Sequence, residues 1–195
     1  MKNNKFNLSK TEKEITSNKV LNNLIKFNSI PSTNDFIKKN YKKLKHGTVI
    51  TAQEQTKGRG RFKNKWFSPK DKGLYFSVLI KKNKIPHELL NIIPAYTALK
   101  TIYDMFKIKA QIKWPNDILI EGRKAGGVLV ETKFASGRLL YAVIGIGLNI
   151  NGKPSDLPEN LKSSACFISK FTGKSINKEE ILLKFIKNLE EVLVN

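Results

Sequence analysis

The segment Gly58-Arg59-Gly60-Arg61 is the first of four whose residue types can do chemistry. Glycines allow the backbone to approach a ligand closely and to present its N–H donors. Two arginines at alternate positions can clamp phosphate or carboxylate oxygens through charge-assisted hydrogen bonds. The spacing is neither that of a P-loop nor that of a dinucleotide-binding fingerprint. It predicts a loop suited to a di- or triphosphate, although a mobile basic loop or a nucleic-acid contact would share the pattern.

Three later segments also combine unlike functional groups. Lys113–Asp117 offers a cation, an indole, an amide and a carboxylate that could hold Mg²⁺ with phosphate oxygens, or it is a turn with a packed Trp. Arg123–Glu131 contains a lysine that opens a strand and a glycine pair, or it is a hairpin with a bulge. Gly145–Asn151 alternates small and bulky residues and contains Asn149, which could pair with an adenine edge; a strand packed on a helix gives the same pattern.

The elements that must position these segments follow from hydrophobic periodicity and turn residues. The predicted strands are 24–30, 47–53, 73–80, 110–114, 117–121, 124–134 and 139–149. The predicted helices are 34–41, 86–106 with Pro94 bending or dividing it, 163–171, and a C-terminal helix with Ile181, Phe185, Leu189 and Val192 on one face. Hairpins dominate the second half, which favours an α+β domain with a mixed, mainly antiparallel sheet and helices packed on one face.

Composition limits the class of protein. The 195 residues include 36 Lys and Arg against 16 Asp and Glu, giving a net charge of +20. Only four of the basic residues are Arg, and the lysines are scattered, so they indicate a solvated surface or attraction to an acidic partner. The single cysteine, Cys166, excludes an internal disulfide framework, fits a reducing compartment and is expected to be buried. No apolar run approaches the about 18 residues of a membrane helix, and no signal peptide is seen, so a cytoplasmic protein with no membrane partner is expected.

Taken together and in order, these segments resemble the catalytic domain of biotin protein ligases. The matching stretches are Ser32–Asn34, Gln53–Arg61, Trp66–Pro69, Gly73–Ser77, Lys113–Asp117, Arg123–Glu131 and Gly145–Asn149. The resemblance covers nearly the whole chain, from about Leu24 to the C-terminal helix. It implies the class II synthetase-like biotin/lipoate ligase fold. It also implies ATP-dependent formation of biotinyl-5′-AMP and transfer of biotin to one lysine of the biotin carboxyl carrier protein of acetyl-CoA carboxylase or a related enzyme.

The resemblance also implies roles for individual residues, with ATP and biotin as substrates and Mg²⁺ as the metal. The catalytic residues would be Lys124, Arg59 and Arg61. The biotin-binding residues would be Ser32, Thr33, Asn34, Gln53, Gly58, Arg59, Lys124, Gly126 and Gly127. The residues for ATP and the adenylate would be Arg61, Trp66, Lys113, Asn116, Asp117 and Asn149, with Asp117 as a metal ligand.

The sequence departs from the family pattern and leaves alternatives open. Phe62-Lys63-Asn64 follow the second arginine, where the family often has a glycine two residues on. Residues 1–20 are expected to be a polar lead-in and 21–195 the catalytic domain, without winged-helix or SH3-like domains, as a monomer or homodimer. A lipoate or octanoyl ligase or transferase of the same fold is the alternative enzyme. A nucleic-acid-binding module would need clustered stacking aromatics, so no specific nucleic-acid partner is expected.

Overall fold

The computed structural model describes residues 13–15, 17–81 and 86–194. In this part of the chain, seven strands form one sheet in the order β1-β2-β3-β7-β6-β5-β4. The strands are β1 (Asn23–Ile30), β2 (Thr48–Gln55), β3 (Gly73–Ile80), β4 (Gln111–Lys113), β5 (Asp117–Ile120), β6 (Arg123–Ala135) and β7 (Arg138–Asn149). The helices are α1 (Thr33–Asn40), α2 (Ile92–Phe106), α3 (Ser169–Thr172) and α4 (Lys178–Val194).

The pairing of the strands confirms the predicted α+β class. β1 pairs in parallel with β2, and every other neighbouring pair is antiparallel. Tight turns join β5 to β6 and β6 to β7, the second through Ser136 and Gly137, which both have positive φ as a two-residue hairpin turn requires. The sheet is therefore mixed and mainly antiparallel, as the sequence predicts.

The helices are divided between the two faces of the sheet. Alternate residues of β3 and β7, such as Phe76 and Ile144, belong to the main core with residues of α2 and α4. On the opposite face, Ile37 of α1 packs with Leu79 and Val143 in a smaller cluster. The two long helices thus share one face, as predicted, while α1 lies on the other. The reason is that α1 is the crossover between the parallel strands β1 and β2, and a crossover helix must pass over one face.

Three predicted helical features differ in detail. The predicted helix 163–171 is wrong, because only Ser169–Thr172 is α-helical; residues 162–164 form a turn, and Ala165 makes an isolated bridge with Lys124. The predicted helix 86–106 is divided, but at Asn91 and not at Pro94: His87–Leu90 form a 3₁₀ helix and α2 begins at Ile92. Pro94 therefore lies in the first turn of α2, where a missing N–H costs nothing. Val192, predicted on the buried face of α4, is 38% exposed.

Part of the predicted polar lead-in belongs to the core. Ile15 is fully buried and belongs to the cluster that contains α2 and α4, and Val20 packs against that cluster. Residues 1–12 of the lead-in lie outside the described part of the chain. Within the described residues, no helix combines the length and the apolar character needed to cross a bilayer.

Candidate active site

A cleft of about 270 Å³ lies on the face of the sheet that carries α1. It is built from the start of α1, the loop between β2 and β3, the β4–β5 turn, and the middle of β6 and β7. Eleven of the sequence-predicted site residues line it: Ser32, Thr33, Asn34, Arg59, Arg61, Trp66, Lys113, Asn116, Asp117, Lys124 and Gly127. Residues that are nearly one hundred positions apart in the sequence are thus brought to one place.

Two glycines of β7 form the floor of this cleft. A Cβ atom on Gly147 would lie 2.5 Å from the indole of Trp66, and one on Gly145 would overlap the side chain of Asn34. Both positions therefore need glycine for close approach, not for backbone conformation. Because they are two residues apart on one strand, their neighbours mark two ends of the cleft about 7 Å apart.

The end at Gly145 consists of short neutral polar groups. Ser77, opposite Gly145 on β3, is fully buried and donates from Oγ to Asn34 Oδ1 at 2.6 Å, and its Oγ lies 2.7 Å from Thr33 Oγ1. The backbone N–H of Thr33 donates to Gln55 Oε1 at 2.9 Å. These bonds fix the first turn of α1 against the sheet and present hydroxyl and amide groups to the cleft.

The end at Gly147 is aromatic and cationic. Lys124 Nζ lies 5.3 Å from the ring centroid of Trp66 and 2.8 Å from Asp117 Oδ1. The indole N–H of Trp66 is buried and has no hydrogen-bond partner among the described residues. Five lining residues are basic, and Asp117 is the one acidic residue among them; the basic residues are Arg59, Arg61, Lys65, Lys113 and Lys124. The cleft as a whole therefore has the composition of an anion site, and the Lys124 ammonium lies beside Trp66 at this end.

Backbone pairing on several sides fixes Lys124. Its N–H donates to the carbonyl of Ser164 at 2.8 Å, and its carbonyl accepts from the N–H of Cys166 at 2.9 Å. Asn149 Nδ2 donates to the same carbonyl at 3.2 Å. The segment 163–168 is therefore not helical, because the backbone of Ser164 and Cys166 pairs with the start of β6. Cys166 is buried as predicted, and burial raises the pKa of its thiol.

Two hydrogen bonds between Asn116 and Val128 hold the β4–β5 turn in place. Asn116 Nδ2 donates to the carbonyl of Val128 at 3.1 Å, and the Val128 N–H donates to the carbonyl of Asn116 at 2.9 Å. This reciprocal pair places Asp117 beside Lys124. The neighbouring Trp114 is 69% exposed at the rim of the cleft, so it is not the packed indole that a purely structural turn would show.

The loop after β2 folds back on itself as a short hairpin. The N–H of Gly60 donates to the carbonyl of Asn64 at 2.7 Å, and the N–H of Trp66 donates to the carbonyl of Gly58 at 2.9 Å. At its tip Phe62 has a φ of 53° and is 84% exposed, with the Arg61 guanidinium 4.9 Å from its ring centroid. The left-handed conformation falls on a phenylalanine, a residue type that rarely adopts it, so the tip of the loop carries local backbone strain.

Four charged side chains from the loop, α1 and β6 form a closed ring of ion pairs. Arg59 Nη2 lies 2.6 Å from Glu131 Oε2 and 2.9 Å from Asp35 Oδ1. Lys38 Nζ lies 2.7 Å from Glu131 Oε1 and 2.9 Å from the same Asp35 oxygen. Burial raises the pKa of the Glu131 carboxyl, but hydrogen bonds from Arg59, Lys38 and Asn34 outweigh burial and lower it to about 2. Glu131 is therefore ionised at neutral pH.

Comparison with known proteins identifies the family. The sequence profile of the Biotin/lipoate A/B protein ligase family matches residues 26–149. The chain belongs to this family. The biotin protein ligase of Aquifex aeolicus, solved in complex with biotin and ATP, superposes with a TM-score of 0.75 at 32% identity, covering 88% of this chain and 70% of that one.

Two curated relatives extend the comparison. The chain is 34% identical over 157 residues to the bifunctional ligase/repressor BirA of Bacillus subtilis, covering 76% of this chain and 48% of the relative. It is 31% identical over 192 residues to biotin–protein ligase 2 of Arabidopsis thaliana, covering 95% of this chain and 57% of the relative. The chain thus spans about half the length of these members of the biotin/lipoate ligase family.

Four residues that the family resemblance nominates are not brought to the cleft. Gln53 is exposed, and its Oε1 accepts from Lys178 Nζ of α4 at 2.8 Å, on the other side of the sheet; Gln55 occupies the expected place beside Thr33. Asn149 does not line the cleft, and its amide N–H₂ is used on the Lys124 carbonyl.

The other two are glycines needed for close packing. A Cβ on Gly58 would lie 2.5 Å from the carbonyl oxygen of Trp66, and one on Gly126 would lie 2.6 Å from Leu148 Cδ2. Gly126 pairs with Leu148, a residue of the main core, so it faces away from the cleft. These glycines shape the backbone around the cleft and do not line it.

Sequence reasoning also missed several residues at this site. Asp35 and Glu131 hold Arg59, and Ser77 and Gln55 hold the start of α1. Glu131 had a signal, since it is the charged residue that directly follows the apolar run Val128–Val130 after the glycine pair. Asp35 had none beyond its place in the first turn of a helix.

The side chains of the cleft fit a metal ion only if a bound nucleotide supplies further ligands. Among residues 13–15, 17–81 and 86–194, no group of three or more His, Cys, Asp and Glu side chains could hold a metal. Asp117 is a single carboxylate, already paired with Lys124. Mg²⁺ is commonly bound by one or two carboxylates together with substrate phosphates and water. These residues therefore fit an ion delivered with a nucleotide and do not fit a resident metal.

Proposed function

We propose that this chain is the catalytic domain of a biotin protein ligase. It would form biotinyl-5′-AMP from biotin and ATP with release of pyrophosphate, and then transfer biotin to a lysine of a carrier protein. The observation that carries the proposal is that one cleft combines buried neutral polar groups beside Gly145, Trp66 and Lys124 beside Gly147, and further basic side chains. The similarity to a ligase solved with biotin and ATP supports it.

The neutral end suits the ureido ring of biotin. That ring has two N–H donors and one carbonyl acceptor, so it needs short polar partners that carry no charge. Ser32, Thr33 and Asn34 line this end and are each at most 4% exposed, while Gln55 braces Thr33. Hydroxyl groups can donate one bond and accept two, so capacity for a ligand remains beside their internal bonds.

The cationic end suits the adenylation step. An oxygen of the biotin carboxylate attacks the α-phosphorus of ATP, the bond from that phosphorus to the bridging oxygen breaks, and pyrophosphate departs. Two anions must meet, so Lys124, Arg59 and Arg61 would offset their repulsion and stabilise the crowded transition state. Trp66 would cover the adenylate, with Lys113, Asn116 and Asp117 on the phosphate side. Mg²⁺ held by the phosphates and Asp117 would neutralise further charge on the nucleotide.

Transfer to the carrier needs less from the protein. The neutral amine of the acceptor lysine attacks the acyl carbon of the anhydride, AMP leaves, and the amine loses its proton. The hairpin loop with Arg61 would retain the anhydride until the acceptor arrives. The carrier of acetyl-CoA carboxylase or a related enzyme is the proposed acceptor, in the cytoplasm. A net charge of +20 would speed encounter with an acidic carrier.

Calorimetry with biotin and a pyrophosphate-release assay test this function. We expect biotin to bind and pyrophosphate to appear only when biotin and ATP are both present, with biotinyl-AMP identified by mass spectrometry. Lipoate and octanoate serve as matched competitor acids. Release of pyrophosphate with lipoate or octanoate but not with biotin would overturn the proposal in favour of the other branch of the family, and release with none of them would overturn adenylation.

A further inference from the structure

Glu131 connects two parts of the site that are otherwise separate in the chain. Its carboxylate accepts hydrogen bonds from Arg59 Nη2 at 2.6 Å, from Lys38 Nζ at 2.7 Å and from Asn34 Nδ2 at 2.9 Å. Arg59 belongs to the hairpin loop, whereas Asn34 and Lys38 belong to α1. One side chain on β6 therefore fixes both the loop and the start of the helix.

Glu131 is better placed than Asp35 to act as the fixed point. The Glu131 side chain is 24% exposed and extends from the long central strand β6. The Asp35 side chain is 46% exposed and lies on the surface of α1, so it can exchange its partners for water. Both carboxylates contact the same atom of Arg59, its Nη2. The guanidinium is therefore restrained from one edge.

The rest of the Arg59 guanidinium has an unused donor. Its Nε is buried and has no hydrogen-bond partner among the described residues, although Arg59 lines the cleft. Buried donors in native proteins are nearly always satisfied, so an unpaired one inside a cleft indicates an acceptor that arrives with a ligand. The restraint at Nη2 does not use this second donor and holds it in one orientation.

We propose that Glu131 is a positioning residue for adenylate formation, which it supports by holding the Arg59 guanidinium in the cleft and by tying the hairpin loop to the start of α1. Glu131 does not line the cleft and acts on the reaction through Arg59. The proposal rests on the proposed function only for its effect on catalysis. The anchoring of the loop is a property of the free protein and is tested separately.

A double-mutant cycle tests the catalytic part. Glu131→Gln keeps the shape but removes the charge and turns an N–H₂ group toward a cationic partner. Because a misplacement of about 1 Å can cost about a hundredfold in rate, we expect adenylate formation to fall by about ten- to a hundredfold in kcat. The KM for biotin should rise by less than kcat falls, because Glu131 also accepts a hydrogen bond from Asn34, which lines the neutral end.

The decisive comparison is with Arg59→Ala. If Glu131 acts through Arg59, the double variant should be as slow as Arg59→Ala alone, within about twofold, because coupled residues are not additive. Losses that multiply in the double variant, or a wild-type rate for Glu131→Gln, would overturn the proposal. If Glu131→Gln does not fold, Glu131→Asp takes its place in the cycle, since it keeps the charge but withdraws it from Arg59.

Limited trypsin digestion tests the anchoring without any substrate. Cleavage within residues 57–65 should be at least about fivefold faster in Glu131→Gln than in wild type, because proteolysis follows the population of the open loop. Asp104→Asn is the matched control: Asp104 pairs with Lys100 and Lys184 between α2 and α4, on the other face of the sheet. Equal loop cleavage in all three proteins would overturn the anchoring role, whether or not the wild type makes biotinyl-AMP.

Discussion

Strands β3 and β7 have two faces that differ in almost every physical property. On one face, Phe76, Val78, Ile144 and Leu148 are each at most 1% exposed, among the side chains of α2 and α4. On the other, the same strands place Gly145 and Gly147 in a polar and cationic cleft, and the buried Ser77 supports Asn34 beside Gly145. A strand alternates its side chains between faces, so stability and ligand binding can occupy alternate residues of one segment. Substitutions on the two faces should therefore affect different measurements.

The largest expected effect is on the apolar face. Phe185 of α4 is fully buried, with its ring centroid 5.0 Å from that of Phe76. Phe185→Ala should lower the free energy of unfolding by about 3–5 kcal/mol, because it removes buried apolar surface and leaves a cavity. Urea denaturation measures the loss. Biotin affinity of the folded protein should be unchanged, and a parallel loss of affinity would show that the two faces are not independent.

A comparable effect, in activity alone, is expected on the other face. Lys124→Ala should slow adenylate formation by about a hundred- to a thousandfold, because it removes a cation aimed at the charge that develops in the transition state. Single-turnover formation of biotinyl-AMP measures the rate. The half-exposed Lys100, which pairs with Asp104 on the far face, supplies the control Lys100→Ala. Wild-type activity in Lys124→Ala would remove this residue from the site.

The smallest expected effect concerns the floor of the cleft. Gly147→Ala adds one methyl group that would lie 2.5 Å from the Trp66 indole, so the ring must move. We expect ATP affinity to fall by about tenfold, equivalent to about 1.4 kcal/mol. A Trp114→Phe background leaves Trp66 as the one indole, and its emission should shift in Gly147→Ala. Unchanged emission and affinity would show that Trp66 does not pack over the nucleotide.

The alternation that separates the two faces is also why much of the fold was predictable. The strands, the hairpin turns and the helix that begins after Ser32 follow from local patterns, and Ser32 Oγ accepts the Asp35 N–H as an N-cap should. Segments 113–117 and 123–131 were predicted as site elements, and the structure brings both to the cleft. These features depend on residues that are neighbours in the sequence.

The wrong predictions concern residues whose contacts or conformation depend on partners that are distant in the sequence. Gln53 and Gln55 are two residues apart, and only the positions of Thr33 and Lys178 determine which one braces the cleft. The segment 163–171 has local helical features, but the backbone of Ser164 and Cys166 pairs with Lys124 instead of forming a helix. Arg59, Asp35 and Glu131 lie far apart in the chain, so no local spacing could have grouped them.

The backbone hydrogen bonds that hold Lys124 come from residues that are synthesised late. All residues that line the cleft lie between Ser32 and Gly147, but the backbone bonds that fix Lys124 come from Ser164 and Cys166. When the ribosome has released the chain only as far as β7, every residue that lines the cleft has been made, but Ser164 and Cys166 have not. The cleft is thus completed by residues that are synthesised afterwards. A chain that ends at β7 lacks the backbone hydrogen bonds that hold Lys124 in place.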